Sequence, residues 1–197
     1  MIIIGLTGSI GMGKTTTSQM FKDAGAAVFD ADACVHELYA KGGAAVPIIR
    51  AVFPDAIKDG TVDRAQLSKH LQKDPLHMQV LESFIHPLVG EARAKAIETA
   101  TREKKKVMVF DVPLLFETGG DKHVDKIVVV SASPDVQRER VLARPGMSKQ
   151  KFEMILSRQT PDAEKRKRAD YVIMTDKGLD FARAQVQTII NDLIGGS

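Results

Sequence analysis

Residues 8–15 read Gly8-Ser9-Ile10-Gly11-Met12-Gly13-Lys14-Thr15. The spacing G-x-x-x-x-G-K-[ST] is that of a loop that wraps phosphate groups between a strand and a helix. Glycines let the backbone close round an anion with its N–H groups turned inward, and the helix that follows points its positive end at the same place. Such a loop needs a strand before it and a helix after it. The apolar run 2–6 precedes it and an amphipathic stretch, 15–23, follows. In such a loop the lysine, here Lys14, reaches the β- and γ-phosphates and the hydroxyl of Thr15 serves Mg²⁺. Gly8, Gly11, Met12, Gly13, Lys14, Thr15 and the adjoining Thr16 are therefore the expected nucleotide-binding residues. A dinucleotide fingerprint would need glycine at 16, where Thr16 stands. A GTPase would need N-K-x-D, and the nearest string, Thr175-Asp176-Lys177-Gly178, lacks both the Asn and the Asp spacing.

The rest of the chain supplies a sheet for this loop. Runs rich in β-branched residues lie at 2–6, 26–29, 107–111, 126–131 and 171–174, with helical patterns at 15–23, most of 63–104, 134–143, 149–158 and 179–193. Strands alternating with helices predict a parallel sheet covered on both faces, and continuous apolar runs such as Ile127-Val128-Val129-Val130 fit fully buried strands. Between the second and third runs lie residues 30–106, far more than the crossover of a βαβ unit of about 30 residues needs, so about 40–50 residues are inserted there. Asp63 reads as a helix N-cap, and Gly42-Gly43 and Asp59-Gly60 as turns. His86-Pro87 reads as a helix start with proline in its first turn.

Composition narrows the function classes. The single cysteine, Cys34, excludes a disulfide framework and a Cys-rich zinc module, and the five histidines show no paired metal spacing. No apolar run approaches about 18 residues, so no membrane span is expected. Met1-Ile2-Ile3-Ile4-Gly5 has neither the basic region nor the cleavage site of a signal peptide, and a reduced cytoplasmic setting is the expectation. The net charge of +3 is too small to argue for nucleic acid. It is concentrated, however: residues 137–168 hold ten Lys/Arg against four acids and only one aromatic, Phe152. A local positive field suits a multiply charged anion. Lys165–Arg168 read equally well as a solvated helix face.

Ligands of open α/β sheets sit beyond the carboxyl ends of the strands. The second run ends at Asp30-Ala31-Asp32 and the third at Asp111-Val112-Pro113. Two jobs are open to these acids, general base on an acceptor hydroxyl or outer-shell support of Mg²⁺-bound water. The alternative for each is helix capping or a plain surface carboxylate.

The phosphate loop, Asp30-Ala31-Asp32, Ile85-His86-Pro87 and Asp111-Val112-Pro113-Leu114-Leu115-Phe116-Glu117 together resemble the dephospho-coenzyme A kinases, over nearly the full chain. The resemblance implies an α/β, three-layer P-loop NTPase fold with a five-stranded parallel sheet. It also implies a helical acceptor-binding insertion and a helical lid. The core would comprise 1–30, 105–143 and 162–197, the insertion 31–104 and the lid 144–161. It further implies ATP as donor, Mg²⁺, and transfer to the ribose 3′-hydroxyl of dephospho-coenzyme A, by a monomer or weak homo-oligomer without nucleic-acid or membrane partners. Asp32, Lys14 and Arg140 would be catalytic, with Arg140 and Arg144 over the ATP phosphates. Asp32, His86, Asp111, Leu114, Leu115, Phe116 and Glu117 would meet the acceptor. Metal would rest on Thr15, with Asp111 through water. Pro145 and Thr175 depart from the family, where many relatives carry Asp or Asn and Asn respectively. Another small-molecule or nucleoside monophosphate kinase would share loop, lid and acids and differ in acceptor. A regulatory nucleotide-binding module would have no need of Asp32.

Overall fold

In the computed structural model, which describes residues 1–195, the chain runs β1 (Ile2–Thr7), α1 (Lys14–Asp23), β2 (Ala27–Asp30), α2 (Ala31–Tyr39), α3 (Ala45–Val52), β3 (Ile57–Lys58), β4 (Thr61–Val62), α4 (Arg64–Lys73), α5 (Pro75–Arg102), β5 (Val107–Asp111), β6 (Lys126–Ser131), α6 (Pro134–Leu142), α7 (Lys149–Ser157), α8 (Asp162–Lys167), β7 (Tyr171–Met174) and α9 (Leu179–Gly195). Two units result: Met1–Phe29 with the chain from Ala100 onward, and Asp30–Thr99.

The first unit is built on a five-stranded sheet of order β2-β5-β1-β6-β7, and the ladders of β1 with β5, β1 with β6, and β6 with β7 are parallel. A parallel sheet buries both faces, which is why β5 and β6 are apolar without alternation. Val128, Val129 and Val130 are each fully buried. On one face Ile4, Leu6, Val109, Val128 and Val130 pack under Met20 and Phe21 of α1 and Val186, Ile189 and Ile190 of α9. The opposite face carries Ser131, whose hydroxyl donates to Asp162 of α8 at 2.8 Å. From β1 the chain moves to one side of the sheet, and after β5 it moves to the other. The carboxyl end of β1 therefore lies at the switch point where open α/β sheets bind ligands, and the phosphate loop begins there.

The second unit has its own core of Tyr39, Val46, Ile49, Phe53, Leu67, Leu81 and Ile85. Asp63 caps α4, accepting from the N–H groups of Ala65 (3.0 Å) and Gln66 (3.1 Å). Asp59 (φ 52°) and Gly60 (φ 81°) make the turn between β3 and β4, the left-handed pair a two-residue hairpin requires. These two-residue strands are too short to show any periodicity in sequence.

One expectation fails here. His86-Pro87 does not begin a helix: α5 runs unbroken from Pro75 to Arg102 with Pro87 inside it. Leu81 and Ile85 before the proline and Leu88 and Val89 after it belong to the same apolar cluster. Their shared burial carries the helix across the missing N–H. The helix start lies instead at Asp74-Pro75, where Asp74 accepts from the Leu76 N–H at 2.9 Å. An interior proline costs about 3 kcal/mol against alanine. Pro87→Ala should therefore raise the melting temperature, by an amount equivalent to about 1–3 kcal/mol after the unfolded-state effect of proline is subtracted. Thermal unfolding followed by circular dichroism checks it, and an unchanged or lower midpoint counts against this account of α5.

Candidate active site

The phosphate loop owes its shape to the absence of side chains. A Cβ on Gly8 would lie 2.6 Å from the carbonyl oxygen of Val130, so only glycine lets the loop leave β1 against β6. Gly11 (φ 80°) and Gly13 (φ 93°) hold the left-handed region that glycine enters freely. Met12 anchors the loop from below. It is 3% exposed, its N–H donates to Ser9 O at 3.2 Å, and its sulfur accepts from the Ala132 N–H at 3.1 Å. Lys14 then opens α1, whose first turn holds no acid and whose N-terminus has no side-chain cap. Its N–H groups and its dipole are thus left for an anion.

Lys14 Nζ forms an ion pair with Asp111 Oδ1. Asp111 closes β5 and is 1% exposed, so this pair lies in the interior on the carboxylate side. Thr15 and Thr16 are exposed on the first turn of α1. Beside them opens a cleft of about 350 Å³ lined by Gly13, Thr16, Arg140, Arg144, Thr175 and Leu179, among others. Arg140 is fixed within it: Nη1 donates to Thr175 Oγ1 (2.9 Å) and Nη2 to Thr175 O (2.8 Å). Thr175 Oγ1 in turn donates to Met12 O at 2.7 Å. Thr175 thus joins the loop, β7 and α6, a role that its place after the last strand does not announce. Arg144 lines the same cleft and is exposed.

The string 112–117 is mostly bound by protein. Leu114 is 41% exposed, whereas Leu115 is 1% exposed and fills the space beside Gly5, where a Cβ would meet it at 2.8 Å. Phe116 is buried with the Arg168 guanidinium 4.1 Å from its ring centre. Glu117 Oε1 accepts from the Thr160 N–H at 2.6 Å and pairs with Lys165 Nζ at 3.0 Å. Through these contacts Leu115, Phe116 and Glu117 brace the string, and Leu114 is its apolar side chain open to solvent. For Lys165 the solvated-face alternative for 165–168 fails. It is fully buried, because the side of α8 that carries it lies against the sheet, while Arg166 and Lys167 are exposed.

In the second unit, Asp30 caps α2, its Oδ1 accepting from the Ala33 N–H at 2.9 Å. Asp32 lies in the first turn of the same helix and is exposed. His86 is exposed on α5. Among the described residues no three His, Cys, Asp or Glu side chains group as a metal site. Any divalent ion here would draw its remaining ligands from a bound phosphate and from water.

The sequence profile of the dephospho-CoA kinases matches residues 2–180. Over 194 residues the chain is 52% identical to the dephospho-CoA kinase of Bradyrhizobium diazoefficiens, covering 98% of this chain and 96% of that protein. A crystal structure of a Thermus thermophilus protein superposes with a TM-score of 0.81 at 30% identity, covering 96% of this chain and 95% of the other. The dephospho-CoA kinase of Campylobacter jejuni shares the fold, with a TM-score of 0.73 at 22% identity and 98% of each chain covered.

Two ion pairs generate predictions. Removing Lys14 strands the buried Asp111 carboxylate. Lys14→Ala should lose about 3 kcal/mol of stability, and Lys14→Ala with Asp111→Asn should regain most of it. Urea unfolding of the two variants decides, and equal midpoints would remove the pair from the account. Burial opposes the charge of Glu117, but the Thr160 N–H and the Lys165 ammonium outweigh it and hold its carboxyl below the usual 4.5. A lowered pKa gives stability that is present above the unfolded value and is lost as pH falls through the folded one. Glu117→Gln should thus melt well below the parent at pH 7, with the gap closing below about pH 4.5. A gap that persists at pH 3 would assign the loss to packing.

Proposed function

The chain belongs to the dephospho-CoA kinase family, and from that premise we propose that it transfers the γ-phosphate of ATP to the ribose 3′-hydroxyl of dephospho-coenzyme A, giving coenzyme A and ADP. The observation that carries this reading is the phosphate loop at the switch point, with Lys14 seated on Asp111, in a chain that follows the family over residues 2–180. A cytoplasmic setting and a monomeric or weakly associating state belong to the same proposal.

Phosphoryl transfer leaves the protein little covalent work, so positioning and charge stabilisation carry it. The loop from Gly8 to Gly13, with Lys14, Thr15 and Thr16 at the start of α1, holds the β- and γ-phosphates. Lys14 faces two competing anions. It neutralises Asp111. The phosphates of ATP would draw it away and leave the buried carboxylate for a second cation. The donor set fits Mg²⁺, a hard ion that takes oxygen ligands and keeps several waters: the exposed hydroxyl of Thr15 and, through water, Asp111 would hold it. Held there, the ion would supply charge neutralisation to the phosphates. Arg140 and Arg144 bring guanidinium groups to the cleft beside the loop. Planar, always charged and bidentate, they suit the spread charge of a transferring phosphoryl group.

The acceptor hydroxyl is a poor nucleophile at neutral pH. Asp32 is the proposed base, because of the two acids at the start of α2 it is the one whose carboxylate is not used as a cap. His86 and Leu114 are the further proposed acceptor contacts. The substrate assignment is tested by following ATP consumption with dephospho-coenzyme A beside AMP, CMP and pantothenate. Only the first should accelerate it. For the base, Asp32→Asn keeps size and loses the proton acceptor, so kcat should fall by about 10²–10⁴ while the Kd for ATP stays within twofold. Loss of ATP binding with kcat intact at saturation would move Asp32 out of that role.

A further inference from the structure

The backbone of Ile10, in the phosphate loop, is gripped at both of its polar groups. Its N–H donates to Gln159 Oε1 at 3.1 Å, and its carbonyl accepts from Gln137 Nε2 at 2.8 Å. Gln137 lies on α6 and is 7% exposed. Its own carbonyl oxygen lies 3.1 Å from where a Cβ on Gly11 would sit, so α6 presses directly on the loop. Gln159 follows α7 on a pinned segment. Its N–H donates to Leu156 O at 3.0 Å, the next N–H is held by Glu117, and Asp162 is held by Ser131. Gln137 thus stands before the 144–161 segment and Gln159 near its end.

A loop that offers several N–H groups to one anion cannot satisfy its peptides internally, and each peptide turned away from the anion needs a partner elsewhere. Glycines at 8, 11 and 13 also make the loop pliable. A neutral primary amide meets both needs. It accepts from an N–H or donates to a carbonyl, and it places no negative charge beside the phosphates. One glutamine acts in each sense, on the two peptides that flank Ile10.

We propose that Gln137 and Gln159 are paired positioning residues that clamp the two peptides flanking Ile10, hold the loop in its triphosphate-binding shape, and tie that shape to the helix before the 144–161 segment and to that segment's last residues. The proposal rests on the nucleotide reading above.

The test uses the full chain with Gln159→Met, Gln137→Met and the double change, near-isosteric substitutions that remove the amide. Titration calorimetry gives the Kd for ATP, and steady-state kinetics gives the KM for dephospho-coenzyme A. Each single change should weaken ATP about tenfold, the scale of one lost hydrogen bond with a stranded peptide group. The KM for the acceptor should stay within twofold. The double change should fall short of about a hundredfold, because both act on the backbone of one residue and are coupled through it. Gln159→Glu, which keeps the acceptor oxygen for Ile10 N–H, should bind ATP better at 0.5 M salt, relative to the parent at the same salt, than at about 0.05 M, as screening removes its charge. Equal loss of both substrates would mark a general structural role and overturn the clamp. So would an ATP Kd within twofold of the parent in folded single variants, or a strictly multiplicative double change. If Gln137→Met fails to fold, Gln159→Met decides by the same criteria, its side chain being only partly buried. A parent chain that binds no ATP overturns the nucleotide reading itself, and the proposal with it.

Discussion

A row of peptide N–H groups must converge on an anion with no side chain in the way, and most of the first unit answers to that constraint. It forces glycine where the loop leaves β1 under the Val130 carbonyl and at the left-handed positions 11 and 13. A loop so poor in side chains has little core of its own. It is therefore fastened from outside, by the buried Met12 beneath the Ala132 N–H, by Thr175 on the Met12 carbonyl, and by two glutamines on Ile10. The sheet serves the same end. Its order puts the carboxyl end of β1 between strands that lead away to opposite sides, where no crossover blocks the loop.

Two ion pairs of this unit have a buried member and join distant parts of the chain. Lys14 meets Asp111 at the loop, and Lys165 meets Glu117 where the string after β5 joins the turn before α8. A buried pair adds little net stability over an apolar contact, but losing one partner is costly. The two pairs differ in their access to solvent. Lys14 stands at the start of α1 beside the loop and is partly exposed. Lys165 is fully enclosed, and Glu117 is also engaged by a backbone N–H, so that pair serves as an anchor.

What was legible in the sequence was whatever depends on neighbours in the chain. The loop is set by local spacing, and the buried strands by unbroken apolar runs, so both could be read directly. The large separation between the second and third strands also announced an inserted helical segment. What escaped depends on contacts that close in three dimensions. Pro87 lies inside a helix because residues on both of its sides share one apolar cluster. Leu115 is core because Gly5 leaves a space beside it. Lys165 looks like its exposed neighbours Arg166 and Lys167 until α8 is laid on the sheet. Thr175 and the two glutamines are ordinary polar residues whose partners lie 35, 127, 149 and 163 positions away. No local pattern encodes such pairings.

The acids after β2 show how local geometry sorts residues that sequence alone leaves equivalent. Asp30 and Asp32 stand two positions apart at the end of a strand that feeds a helix. The helix must begin somewhere, and its first N–H groups need acceptors. Asp30 has the extended backbone of an N-cap (φ −92°, ψ 111°) and gives Oδ1 to the Ala33 N–H. Asp32, already helical, sits in the first turn and is exposed. The cap thus takes one carboxylate out of contention and leaves the other without that backbone role. The capping bond is also what fixes the place of Asp32 in the turn. Exchanging the two jobs would require the helix to start two residues later, which would turn every following side chain of α2 by about 200° and take Cys34 and Tyr39 off the buried face.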